Sequence, residues 1–137
     1  MSNDNTPDEA APKRPKQRVL IADDDPAMAR AIERVLHSAG YETAVAHDGY
    51  AAEALFQTFQ PSVMTLDLRM PGRAGMQVLN FINSLQAMEQ APRCKVLIVS
   101  ADAQVDDELA LAVGAHGAVS KPFDNDDLLS EVVRLLA

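Results

Sequence analysis

From residue 18 onward, short wholly apolar runs alternate with longer stretches whose apolar residues recur at helical spacing. Residues 19–22 (VLIA) form the first run, and Met28, Ile32, Val35, Leu36 and Ala39 then fall on one helical face. Gly40 stands where a helix end calls for a left-handed residue. Residues 43–46 predict a second strand, and residues 50–59 a helix closed by Pro61. The unit recurs as strand 63–66 with a helix carrying Val78, Leu79, Ile82 and Leu85, and as strand 96–99 with a helix around 109–113. Strand 118–120 and a helix over 126–136 complete five units.

The strands are apolar throughout rather than alternating, the pattern of a parallel sheet with helices on both faces. The expectation is an α/β fold: a doubly wound (βα)5 parallel sheet with the flavodoxin-like strand order 2-1-3-4-5 and a ligand crevice between the carboxyl ends of strands 1 and 3. Reading those ends gives Asp23, Asp24 and Asp25 after the first strand, Asp67 after the third, Ser100 after the fourth and Lys121 after the fifth. Asp25 followed by Pro26 suits an N-cap and first helical position, which leaves Asp23 and Asp24 to face Asp67. Two carboxylates ~4 Å apart repel by about 4 kcal/mol at an effective dielectric near 20. Lys121 neutralises part of this charge, and a hard divalent cation such as Mg²⁺ takes the rest. A carboxylate so neutralised can accept a phosphoryl group, with Asp67 attacking, Asp23 and Asp24 holding metal, Lys121 pairing with the phosphate and the Ser100 hydroxyl donating to it.

Composition narrows the function further. The chain of 137 residues is 47% hydrophobic and 23% charged, within the globular range. Its net charge of −8 opposes binding to nucleic acid, where affinity comes from Lys and Arg displacing counterions. Residues 1–17 lack periodicity and read as a disordered N-terminal leader, with Lys13, Arg14, Lys16 and Arg18 as an exposed basic run. No signal-peptide core or membrane-length apolar stretch follows, and the single Cys94 permits no internal disulfide, so a cytoplasmic, reducing location is expected. His37, His47 and His116 lack ligand spacing, and Cys94 has no activating base nearby in sequence.

Four ordered motifs go beyond this: VLIADDDP at 19–26, LDLRMPGRAG at 66–75, VLIVSAD at 96–102 and SKPF at 120–123. Over residues 18–137 the chain resembles the receiver domains of two-component response regulators. The resemblance implies Asp67 as phosphoacceptor, Asp23 and Asp24 as the acidic pair, and the backbone carbonyl of Arg69 as a further metal ligand. It implies Mg²⁺, with Mn²⁺ able to replace it, Ser100 as the switch hydroxyl, Lys121 as the phosphate lysine and a cis Lys121-Pro122 bond. The expected partners are a histidine kinase or phosphotransfer protein, a downstream protein target, and a second copy bound through the fourth and fifth helices. Such a domain is not an enzyme in the ordinary sense, catalysing only its own phosphotransfer and dephosphorylation.

One departure is Ala118, three residues before Lys121, where many members carry an aromatic that turns inward with the switch hydroxyl. It leaves a second reading, a degenerate receiver acting as a phosphorylation-independent interaction module. An aspartate-nucleophile phosphohydrolase would carry a second Asp where Arg69 stands, and the acidic DDDPA turn opposes a flavin phosphate. Arg69 and Asp102 are expected to pair across the mouth of the site. In the last helix Leu128, Leu129, Val132, Val133, Leu135 and Leu136 span roughly 160°, enough either for a partner surface or for a helix set broadly into its own core. With the last residue directly after that helix, a single-domain regulator without an output domain is expected.

Overall fold

The computed structural model describes residues 16–102 and 104–137. Five strands alternate with five helices: β1 (Arg18–Ala22), α1 (Pro26–Ser38), β2 (Glu42–Ala46), α2 (Gly49–Phe59), β3 (Val63–Leu66), α3 (Gly75–Ala87), β4 (Lys95–Ser100), α4 (Asp107–Ala112), β5 (Gly117–Ser120) and α5 (Asn125–Leu136). All strand pairs are parallel and the order is β2-β1-β3-β4-β5, as the apolar runs predict. Of the expected leader, only Lys16 and Gln17 lie among the described residues.

Local chemistry starts and stops the helices. Asp25 caps α1, its carboxylate accepting from the Ala27 and Met28 N–H groups at 3.0 and 3.4 Å, with Pro26 in the first turn. Asp48, Asp106 and Asp124 cap α2, α4 and α5 in the same way. Gly40 follows α1 at φ 95°, whereas α2 ends on Gln60 at φ 53°, a left-handed residue that the Pro61 stop signal does not reveal. The fourth helix begins two residues before the predicted start, because Asp106 supplies the cap, and Gly114 at φ 91° follows its end.

The sheet divides the core in two. Val19, Ile21, Val63, Leu97 and Val99 pack against Ala29, Ile32 and Leu36 of α1 and Leu128, Val132 and Leu135 of α5. On the other face Leu20, Ala22, Met64, Leu66, Val96 and Ile98 meet Ala52, Phe56, Val78, Leu79, Ile82 and Ala110 from α2, α3 and α4. Burying each large aliphatic side chain contributes about 1.5–3 kcal/mol, so the two layers supply the stability against which a polar site is set. Most of the broad apolar arc of α5 is used internally: Leu129 and Leu136 pack on the first layer and Val133 alone of the six stands exposed. Thr65, buried between the ends of β3, has no hydrogen-bond partner for its hydroxyl.

Strand alternation also aims the site. Asp23 continues the parity of Val19 and Ile21, Asp67 that of Val63, and Lys121 that of Val119, all on the α1/α5 side of the sheet. The three side chains therefore leave the carboxyl rim in one direction.

Candidate functional site

Asp23 and Asp67 are held by the last backbone bonds of the sheet. The Asp23 N–H donates to the Ala46 carbonyl at 3.0 Å and the Asp67 N–H to the Ala22 carbonyl at 2.9 Å. Both side chains are buried, with Asp23 1% and Asp67 7% exposed, while Asp24 is exposed. Asp23, Asp24 and Asp67 each place a carboxylate oxygen within 4.8 Å of the other two, a cluster able to hold a metal ion. The sequence-predicted acids thus converge. Asp25 does not join them, because its carboxylate is spent on the α1 cap.

Lys121 bridges the acids, its Nζ 2.8 Å from Asp23 Oδ2 and 3.6 Å from Asp67 Oδ2. The Lys121-Pro122 bond is cis, as the resemblance implies, and the Lys121 N–H donates to the Ser100 carbonyl at 2.8 Å. Asp23 Oδ1 accepts from the Asp25 N–H at 2.9 Å and Asp67 Oδ1 from the Arg69 N–H at 3.2 Å. Ser100 Oγ accepts from the Asp102 N–H at 3.1 Å, which leaves its own proton to be donated elsewhere.

The charges respond to this crowding. Burial pushes the Asp67 carboxyl above the usual carboxylate range; the Arg69 N–H and the Lys121 ammonium pull it down, and the Asp23 charge and a hydrogen bond with Asp24 push it up. Burial disfavours the Lys121 ammonium, but its hydrogen bond to Asp23 and the charges of Asp23 and Asp67 outweigh that and raise its pKa. The rim is a set of acids under-neutralised by one cation, the electrostatic setting a divalent ion relieves.

The expected ion pair between Arg69 and Asp102 is not formed. Both line a pocket of about 350 Å³ with Ala101 and Gln104 beside the acids, but the Asp102 carboxylate folds back to accept from the Gln104 N–H at 2.9 Å. A neighbour that sequence reasoning missed is His47, just past β2, whose Nδ1 lies 3.1 Å from the Asp23 carbonyl oxygen and donates to it. Reading the carboxyl end of β2 as well as the other strands would have found it. His37 is exposed on α1 and outside the site. His116 is structural: its Nδ1 accepts from the Val96 N–H at 3.0 Å, and burial, with Lys95 and Arg134 nearby, lowers its pKa. Cys94 is buried, its thiol pushed up to about 12, and so is inert at neutral pH.

A parallel five-stranded α/β fold with an acidic trio and a bridging lysine at the strand 1 and 3 ends defines a signalling receiver. Residues 19–133 match the response regulator receiver domain family, and the chain belongs to it. The matched residues are thus a signalling domain rather than a conventional catalytic one. Among solved structures, the chain is similar to a response regulator signal receiver domain from Bermanella marisrubri (40% identity, TM-score 0.76, 90% of this chain and 100% of that one). It is also similar to the Francisella response regulator 1452 receiver domain (31% identity, TM-score 0.75, 88% and 96%). A curated relative, the transcriptional regulatory protein TrcR of Mycobacterium tuberculosis, is 30% identical over 119 residues; these make up 87% of this chain and 45% of the length of that protein. Among the described residues no helix is long and apolar enough to cross a membrane.

Proposed function

We propose that residues 18–137 form a phosphoacceptor switch in which Asp67 takes a phosphoryl group from a phosphohistidine on a histidine kinase or phosphotransfer protein. The observation that carries this reading is the buried Asp67 carboxylate beside Lys121 with Asp23 and Asp24 in reach. An Asp67 carboxylate oxygen forms the new P–O bond as the donor's P–N bond breaks, and the departing imidazole keeps the electron pair and is protonated. Three carboxylates in one cluster are hard oxygen donors that fit Mg²⁺, or Mn²⁺ in its place; Asp23, Asp24, Asp67 and the Arg69 carbonyl would hold it. When bound, the ion neutralises phosphoryl oxygens and orients the donor.

The chain's own residues do the remainder. Lys121 turns from its shared contact with Asp23 toward the added phosphate, and Ser100 donates its free hydroxyl proton to a phosphoryl oxygen. Ser100 precedes the loop into α4, and the Ala118 N–H is bonded to Asp107 Oδ1 at 3.0 Å, which ties β5 to the first turn of α4. Movement of Ser100 is thereby passed to the α4–β5–α5 face without an aromatic at position 118. That face meets the downstream protein target and a second copy of the chain, with Leu109, Leu111 and Val133 as its exposed apolar residues. The setting is the cytoplasm.

Intact-mass measurement after incubation with acetyl phosphate tests the reading. The native chain gains a single phosphoryl group in Mg²⁺, and the adduct is lost without metal and in Asp67→Ala. A folded native chain that gains none overturns the proposal and leaves the interaction-module reading, in which the target binds whatever the state of Asp67.

A further inference from the structure

The loop between β3 and α3, residues 67–74, carries Asp67 at one end and the Arg69 carbonyl near its middle. A loop delivering a metal ligand from backbone has no side-chain rotamer to fix it, so its position depends on what the backbone leans against. Here it leans on the first turn of α2. The Gly49 N–H donates to the Pro71 carbonyl at 3.3 Å. A Cβ at Gly49 would run into the Arg73 carbonyl oxygen, so the two backbones touch where only glycine fits. Gly72, at φ 75°, lies under the Tyr50 ring, with a Cβ there 2.8 Å from the ring. Arg73 Nε reaches Glu53 Oε2 at 2.9 Å.

We propose that the N-terminal turn of α2, through Gly49, Tyr50 and Glu53, is a clamp that positions the β3–α3 loop and so sets how tightly the acidic site holds its divalent ion. Tyr50 supports this, since it is 63% exposed and spends its ring on Gly72 rather than on the core. Gly49 supports it too, because a helix prefers Ala to Gly at an ordinary position and the close approach of Arg73 is the reason Gly stands here. These are positioning residues that touch neither metal nor phosphate. The inference rests on the metal-dependent phosphoacceptor reading above.

The test separates affinity from chemistry. Mg²⁺ binding to the native chain and to Gly49→Ala, Tyr50→Ala and Glu53→Gln is measured by calorimetry, and acetyl phosphate labelling is followed at saturating Mg²⁺. Gly49→Ala is expected to weaken Mg²⁺ binding about tenfold and Glu53→Gln about threefold, with labelling at saturation within twofold of native. Tyr50→Ala is expected to weaken binding about threefold, since the ring no longer backs Gly72, and Gly72 itself is left unchanged because its φ of 75° would strain any side chain placed there. Unchanged Mg²⁺ affinity in folded Gly49→Ala, Tyr50→Ala and Glu53→Gln overturns the clamp. If Gly49→Ala does not fold, Tyr50→Ala and Glu53→Gln decide alone. A native chain that neither binds Mg²⁺ nor labels counts against the phosphoacceptor reading instead, and that result is seen before any variant is made.

Discussion

The two ends of the same sheet treat their polar groups differently. At the amino end Arg18 finds local partners: it pairs with Glu42 at 3.3 Å, donates to the Phe59 carbonyl at 2.9 Å and lies 5.5 Å over the Phe59 ring. Cys94 stays neutral there, and His116 takes the Val96 N–H in place of a strand partner. At the carboxyl end Asp23 and Asp67 are buried with one ammonium between them and a third carboxylate within 4.8 Å. The amino end is built for stability, whereas the carboxyl end holds charge in excess of its compensation. Such a rim lowers stability until a cation arrives, which is the usual relation between a binding site and the fold that carries it.

The sharpest way to break this comparison is to remove the cation. Lys121→Met leaves two buried acids facing each other, and the loss of one partner of a buried pair costs about 3 kcal/mol. Arg18→Met, at the exposed amino-end pair, is expected to cost under about 1 kcal/mol. The Lys121 pKa is raised above its ordinary 10.5, so its contribution is fully present at lower pH and is lost only as pH rises through the folded value. Urea unfolding at pH 7 without divalent ions therefore reads the whole effect; equal costs for the two variants would show that the rim is under no charge tension.

Asp67 shows the same sign of pH dependence for the opposite reason. Its folded pKa lies above the ordinary 3.8, so the charged form is the disfavoured one and stability rises as pH falls through the window between those values. Mg²⁺ at a hundred times its Kd is expected to stabilise the native chain by about 2.7 kcal/mol. Asp67→Asn is expected to stabilise the metal-free protein by about 1 kcal/mol and to gain much less from Mg²⁺, so the two proteins exchange order as metal is added. Thermal melts with and without Mg²⁺ check this, and an Asn variant less stable than native without metal would contradict it.

Much of the rim was legible in the sequence because strand ends are. Apolar runs locate β1, β3, β4 and β5, the parallel order follows from helices between them, and the residue after each run is then at the crevice. That logic brings Asp23, Asp24, Asp67, Ser100 and Lys121 together. It does not reach contacts set by side-chain torsions: the preference of Lys121 for Asp23 over Asp67, the turn that takes Asp102 away from Arg69, or the reach of His47 to the Asp23 carbonyl. Nor does it read the close backbone approach at Gly49, since a glycine before a helix looks like any turn residue. The pattern does place the end of α2 at Phe59, but the left-handed Gln60 that caps it leaves no compositional mark.

The smallest effect sharpens the amino end. Burial and the charges of Lys95 and Arg134 hold the His116 pKa below its ordinary 6.5, and the Val96 N–H occupies the nitrogen that a second proton would need. The unfolded chain takes up that proton first, so native stability is unaffected well above pH 6.5 and falls as pH drops from there toward the folded value. His116→Asn keeps an acceptor for Val96 and cannot titrate. Between pH 7.5 and 5.5 the variant is expected to gain about 0.5 kcal/mol on the native chain, the scale of a partly exposed position. Because the rim acids are common to both proteins, the difference between two urea series isolates His116. A difference that stays constant with pH would mean that this end of the sheet, too, carries its charge freely, and the contrast with the carboxyl rim would narrow to Asp23, Asp67 and Lys121 alone.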